Sequence, residues 1–264
     1  MCAMPEHTLD FASALIDQTA RFAGLVDGAD LDRPVPSCPE WRLGTLVEHV
    51  GQAHRFGAER VRARLGGPLR RVDATPVPLP GDPAQHREWL LAGAEDLFGA
   101  VREAGAEPVW NFAFGEGDAT FWLRRMAHET AVHRWDAALA LHAEFELAPE
   151  VAADALSEWL TLLTSPGAVQ GRPEMAEALR GTGQTIHLHA TDRPGLGEAG
   201  EWLITRGPDQ VSWRHGHAKG DVAARGLAVD LLLLMVNRIR PADPRIQAFG
   251  YAELLEHWSR VVNF

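Results

Sequence analysis

The stretch His128-Glu129-Thr130-Ala131-Val132-His133-Arg134-Trp135-Asp136 sets ionisable side chains where a helix facing a packed interior is normally apolar. Read helically over 120–141, one stripe runs Trp122, Met126, Glu129, His133, Asp136 and Ala140, in steps of four, three, four, three and four residues. That stripe is the inward seam of a helical bundle. Glu129 and His133, four apart, lie one above the other on it. A carboxylate facing such an interior is costly unless it is paired, protonated or bound to a cation. A divalent metal would supply the compensation.

A metal needs a further ligand from another element, and the segment 41–65 offers one. It reads as a helix with the stripe Leu46, His49, Ala53, Phe56, and His49 interrupts that stripe as Glu129 and His133 interrupt theirs. Two imidazoles and a carboxylate from two helices suit zinc, with a fourth position left for water or substrate. The same residues also fit a hydrogen-bonded core histidine beside an ordinary buried Glu129–His133 pair. The spacing E-x-x-x-H is not the H-E-x-x-H of zinc proteases and does not separate the two readings.

Three stretches together carry a family resemblance. Cys38-Pro39-Glu40-Trp41 precedes the His49 helix, Arg125-Met126-Ala127 leads into the 128–136 stretch, and Asp230-Leu231-Leu232-Leu233-Leu234-Met235-Val236-Asn237-Arg238 follows near the carboxy terminus. The chain thereby resembles the mycothiol-dependent maleylpyruvate isomerase family, within the DinB-like metal-binding bundles. The resemblance implies an α+β chain, a DinB-like four-helix bundle followed by a smaller α+β domain. It implies metal ligands at His49, Glu129 and His133; their imidazole and carboxylate donors make zinc the leading ion, with nickel, iron and manganese as alternatives. It also implies mycothiol as the thiol cofactor. In the implied reaction, mycothiol adds to an activated double bond, the resulting single bond rotates and the thiol is expelled. If the adduct departs first, the same site is an S-transferase. A thiol-independent metal hydrolase or lyase, and a non-catalytic metal-containing binding protein, are the alternatives.

A carboxylated substrate needs a cation, and Arg238 matches a position where the resemblance implies a substrate-binding arginine. Arg238 is equally suited to capping the end of its helix. Asp136, one turn past His133, either supports that imidazole from behind or pairs at the surface with Arg134 or Arg55. Cys38 is read as packing beside Pro39 and Trp41. Counted at helical rise it lies roughly 15 Å from His49, out of reach of direct ligation.

Composition narrows the setting. The 264 residues are 46% hydrophobic, enough for one large or two modest domains, and the net charge of -11 disfavours a nucleic-acid or anionic-membrane binder. Lys219 is the one lysine among 25 basic residues, a bias that fits a GC-rich genome. No apolar run approaches a membrane span and the amino terminus has no signal-peptide pattern. Two cysteines, Cys2 and Cys38, give no disulfide framework, so a reducing cytoplasm is the expected compartment. The partners expected are a small thiol and a small electrophile, with the chain a monomer or homodimer.

In order, helices are expected over 7–26, 41–65, 84–104, 120–141 and 149–163, with a proline-rich loop at 66–83 serving as a rim. The break at 165–173 places the domain border, giving 1–167 as the bundle and 168–264 as the α+β domain. Beyond it, 184–190, 202–205 and 211–214 read as three antiparallel strands, and 220–238 and 251–262 as helices. The two domains are expected to meet over the metal. Trp41 and Trp122 are expected near it. His187 and His189 share one strand face, but neither they nor His215 and His217 receive a role at this level.

Overall fold

A computed structural model describes residues 9–63 and 76–262 of the chain. They divide into two compact units: the chain up to Asn111 with Gly115–Glu146, and Phe112–Phe114 with the chain from Leu147 onward. The compositional break at 165–173 falls inside the second unit.

The first unit packs four helices, α1 (Phe11–Val26), α2 (Leu43–Ala63), α3 (His86–Ala104) and α4 (Thr120–Leu141). Helix α1 begins at Phe11 rather than near residue 7 because Asp10 caps it, its carboxylate accepting the N–H groups of Ala12 and Ser13. Between α3 and α4 the expected irregular lead-in is a short hairpin, β1 (Val109–Asn111) with β2 (Gly115–Gly117), antiparallel with Asn111 opposite Gly115. The seam forecast for α4 is realised, with Trp122, Met126, His133, Asp136 and Ala140 all buried. Helix α2 lies close against α3. Gly51 makes this possible, since a methyl group there would overlap the Trp89 ring.

The expected 66–83 loop lies largely outside the described residues. Its described end is tied to α2, where Gln52 Nε2 donates to the Val77 carbonyl at 2.7 Å. A 3-10 turn at Pro83–Gln85 then leads into α3.

The second unit starts with α5 (Pro149–Leu163), whose proline occupies the first turn, where its missing N–H costs nothing. Two short helices follow, α6 (Pro166–Gly171) and α7 (Pro173–Leu179), in the stretch expected to be a plain break. Each starts at a proline, which ends one helix and opens the next.

A five-stranded sheet comes next, built from β3 (Gln184–Ala190), β4 (Glu201–Arg206), β5 (Val211–His215), β6 (Val222–Gly226) and β7 (Gln247–Gly250), in the order β5-β4-β3-β6-β7. The three expected strands form the antiparallel meander β3-β4-β5, and β6 joins β3 in parallel. The helix expected over 220–238 is therefore shortened. Residues 222–226 form a strand that alternates between buried and more exposed positions, and α8 covers only Ala228–Met235. The two alanines at 223 and 224 favour helix locally, but pairing with β3 overrides that preference. The start of α8 has no local side-chain cap; Asp192, 36 residues earlier, accepts the Ala228 N–H at 2.8 Å.

Helix α9 (Glu253–Val261) closes the unit. Trp159 and Trp258 both donate their indole N–H to the Met235 carbonyl at 3.1 Å, filling the hydrogen-bonding needs of the α8 carboxy end.

Candidate metal centre

Helix α2 carries His49 and helix α4 carries Glu129 and His133, and the fold brings one ligand atom of each within 4.8 Å of the others. His49 Nε2 meets Glu129 Oε1 at 3.0 Å, while Arg125, one turn earlier on α4, donates to Glu129 Oε2 at 3.3 Å. Burial works against charge on Glu129. The His49 hydrogen bond and the positive charge of Arg125 nevertheless hold its carboxyl well below the usual range, with smaller contributions from His133 and from the charge of His49. The group is therefore an anion at neutral pH, the form a cation requires.

His133 is oriented from behind. Its Nδ1 lies 2.8 Å from Asp136 Oδ2, and Asp136 is 0% exposed. This leaves Nε2 as the nitrogen a metal would take, in the carboxylate–histidine arrangement that fixes ring orientation at metal sites. Asp136 pairs with neither Arg134 nor Arg55. Its Oδ1 accepts the Ser37 hydroxyl at 2.6 Å, and the Cys38 thiol stands 3.9 Å from Oδ2. Arg134 instead reaches Gln18 and the Glu146 carbonyl, and Arg55 reaches the Gly51 and Trp89 carbonyls.

Helical rise does not describe the path from Cys38 to His49. Residues 38–42 are not helical: a turn joins Cys38 N–H to Val35 O and Trp41 N–H to Cys38 O, and Pro34 bridges to Arg42. The turn folds Cys38 back against the aspartate that holds His133. It also sets Trp41 beside both imidazoles, its ring 4.8 Å from that of His49 and stacked 5.9 Å from that of His133. Trp122 takes a different place, packed edge-on to Phe56 and Phe121 with its N–H on the Trp110 carbonyl. Cys2 lies outside the described residues.

Spacing alone did not reveal Ser37 or the Arg125 contact. Arg125 had a visible signal, an i,i+4 partner of opposite charge to Glu129. Ser37 had none, because its partner is 99 residues away. Five residues beyond His49, His54 is fully buried with Nε2 2.8 Å from Thr130 Oγ1, and its Nδ1 has no hydrogen-bond partner. The Thr130 hydroxyl donates to the Met126 carbonyl at 2.7 Å, so His54 is the donor and carries its proton on Nε2. Burial foremost pushes its pKa down to about 4; Glu129 opposes the shift and Arg55 and His49 add to it.

Arg238 belongs to the second unit, three residues past the end of α8. Its N–H donates to the Leu233 carbonyl at 2.7 Å and its Nη1 to the Val236 carbonyl at 3.3 Å, contacts of a helix-terminating residue. Asn237 before it adopts φ 58, the left-handed conformation that ends helices.

The donor set fits a borderline divalent ion: two imidazoles and an ionised carboxylate, one imidazole already locked by a buried aspartate. Among the described residues no helix is long and apolar enough to cross a membrane.

No curated protein matches the sequence. A crystal structure of the mycothiol-dependent maleylpyruvate isomerase is 15% identical with a TM-score of 0.54, covering 90% of this chain and 91% of that one. A point mutant of that isomerase, also at 15% identity, has a TM-score of 0.49 over 90% of each chain. At such identity the first of these speaks for the two-part α+β fold. Residues 12–138 match the family model described as the mycothiol maleylpyruvate isomerase N-terminal domain, and residues 150–257 match that of the MDMPI C-terminal domain. Two models of one family, matched in series over both units, place the chain in the mycothiol-dependent maleylpyruvate isomerase family, a family of enzymes.

Proposed function

We propose that this protein is a metal- and mycothiol-dependent isomerase or S-transferase acting on a small unsaturated electrophile, with His49, Glu129 and His133 as the metal ligands. The observation that carries the reading is the convergence of these three side chains, with Asp136 buried behind His133. Zinc held by His49, Glu129 and His133 would supply the Lewis acidity that lowers the pKa of a thiol or water toward neutrality.

The chain's own residues have separate tasks. His49 and Glu129 face one another across the α2–α4 seam, so neither helix alone makes the site. Arg125 holds the second Glu129 oxygen and fixes the carboxylate plane. Trp41 covers the two imidazoles and keeps water from that side. For a carboxylated substrate such as a maleyl-type keto acid, Arg238 is the cation proposed from the family resemblance, since guanidinium binds carboxylate through two parallel hydrogen bonds. The net reaction in the isomerase reading is a cis–trans change by reversible thiol addition, with the thiol taken from solution.

The test is turnover of a maleyl-type keto acid with and without mycothiol, in wild type and in Cys38→Ser. Activity should depend on added mycothiol and survive the cysteine replacement. Metal analysis should show one equivalent fewer in His133→Ala than in wild type. Turnover without any thiol would favour a hydrolase or lyase, and loss of activity in a folded, metal-replete Cys38→Ser protein would make the nucleophile a protein thiol.

A further inference from the structure

The second unit holds another constellation of metal-ligating side chains, built from residues that the centre on α2 and α4 does not use. His187 and His189 sit two apart on β3, so both project from one face of the sheet. Glu201 on β4 is the cross-strand partner of His189, which places its carboxylate on the same face. The opposite face is apolar: Ile186, Leu188, Trp202 and Ile204 are all fully buried, and the Trp202 indole donates to Ser157 on α5.

His217 arrives from beyond β5. Gly216 continues the β4–β5 ladder by donating its N–H to the Glu201 carbonyl at 3.2 Å, and its φ of 124 turns the chain back over the sheet. Three imidazoles consequently meet one carboxylate. Glu201 Oε2 lies 2.6 Å from His187 Nε2, and Oε1 lies 2.6 Å from His189 Nδ1 and 3.3 Å from His217 Nδ1. The His187 and His217 rings are 5.0 Å apart at right angles.

A surface ion pair would not need this arrangement. One carboxylate pairs with one imidazolium, and here three imidazoles converge on a single carboxylate. Both Glu201 oxygens are engaged by ring nitrogens from two directions, Oε2 by His187 and Oε1 by His189 and His217. Imidazoles gathered around a carboxylate are the donor set of zinc and its neighbours.

We propose that His187, Glu201 and His217 form a second divalent-metal site, with His189 holding the Glu201 carboxylate in place or closing the coordination as a fourth ligand. The ligand class is a d-block dication with imidazole and carboxylate preference, zinc foremost. Ligand atoms of the three core residues already lie within 4.8 Å of one another. Around zinc, with bonds of about 2.0–2.2 Å, tetrahedral donors are about 3.4 Å apart, so side-chain shifts of roughly an ångström complete the shell. A bound ion would clip the segment after β5, through His217, to the centre of the sheet.

The experiment is equilibrium dialysis against zinc, read by elemental analysis, on the full chain carrying His133→Ala to silence the first centre. This background should retain one zinc equivalent in the micromolar range or tighter. Adding His217→Ala should weaken that binding at least tenfold. The His217 side chain is 76% exposed, so its removal leaves the fold intact, which circular dichroism checks. A further arm, His142→Asn, replaces another exposed histidine and should leave binding unchanged. The proposal is overturned if the His133→Ala protein binds no zinc, if His217→Ala has no effect, or if His142→Asn weakens binding equally. Failure of the first centre to bind metal would show instead as equal stoichiometry in wild type and His133→Ala, so the two readings fail separately.

Discussion

Asp136 divides its two oxygens among an imidazole, a hydroxyl and a thiol while remaining fully buried. Replacing it with Asn keeps the shape and an acceptor for His133 but removes the charge and turns an amide N–H₂ toward one of the other partners. We expect Asp136→Asn to fold and to bind metal at the first centre about 10–100-fold more weakly. Competition with a chromophoric chelator measures this, and unchanged affinity would remove Asp136 from the site.

His54 gives a pH dependence whose sign follows from its depressed folded pKa. Between 6.5 and about 4 the unfolded chain takes up a proton that the folded chain refuses. Its contribution is therefore fully present above pH 6.5 and is lost as pH falls toward 4, by up to about 3 kcal/mol. His54→Gln keeps a donor for Thr130 and does not titrate. Urea unfolding at pH 7 and pH 4.5 should show wild type losing ground to this variant at the lower pH, and a pH-independent difference would refute the account. Of the candidate ligands, Glu129 and His133 were legible because they break an otherwise apolar helical stripe. Ser37 was not, because a serine in a turn looks the same with or without a distant aspartate.

At the scale of elements, the α2–α3 contact depends on Gly51, two residues from His49. Trp89 fills the space beside it, and the Arg55 guanidinium lies 4.2 Å above the Trp89 ring centre. Gly51→Ala must push these helices apart or force Trp89 from its place, at a cost of about 1–3 kcal/mol. Its melting temperature should fall and its metal affinity at the first centre should fall with it. A variant as stable as wild type would show that the contact yields freely.

Helices α4 and α5 could be bounded to the residue from sequence, since an apolar period and a leading proline are local signals. Strand β6 could not. Its alanines favour helix, and what makes it a strand is β3, more than thirty residues earlier in the chain. The start of α8 was hidden for the same reason, its cap being the distant Asp192.

At the scale of the molecule, the two candidate centres lie in different units and should respond to metal independently. Zinc at about a hundred times its dissociation constant stabilises the folded state it binds by about 2.7 kcal/mol. Hydrogen exchange read by mass spectrometry should show peptides of α2 and α4 slowing with zinc in wild type and not in His133→Ala. Peptides covering 184–217 should slow in both, and cease to do so in His217→Ala. A uniform response over both units in every variant would count against two separate sites.

The parallel seam of the sheet has a consequence in time. The meander β3-β4-β5 closes through neighbouring turns, whereas β6 reaches β3 only after the chain has gone out and returned, a separation of 36 residues at the Thr185–Asp221 hydrogen bonds. Loops of that length close more slowly than hairpins. The strands that bear the histidine cluster therefore assemble early, and the outer edge of β3 stays bare until β6 and β7 arrive. An unpaired strand edge recruits other chains. Refolding yield should accordingly fall with rising protein concentration, because the last step of sheet assembly competes with a neighbour that offers the same hydrogen bonds sooner.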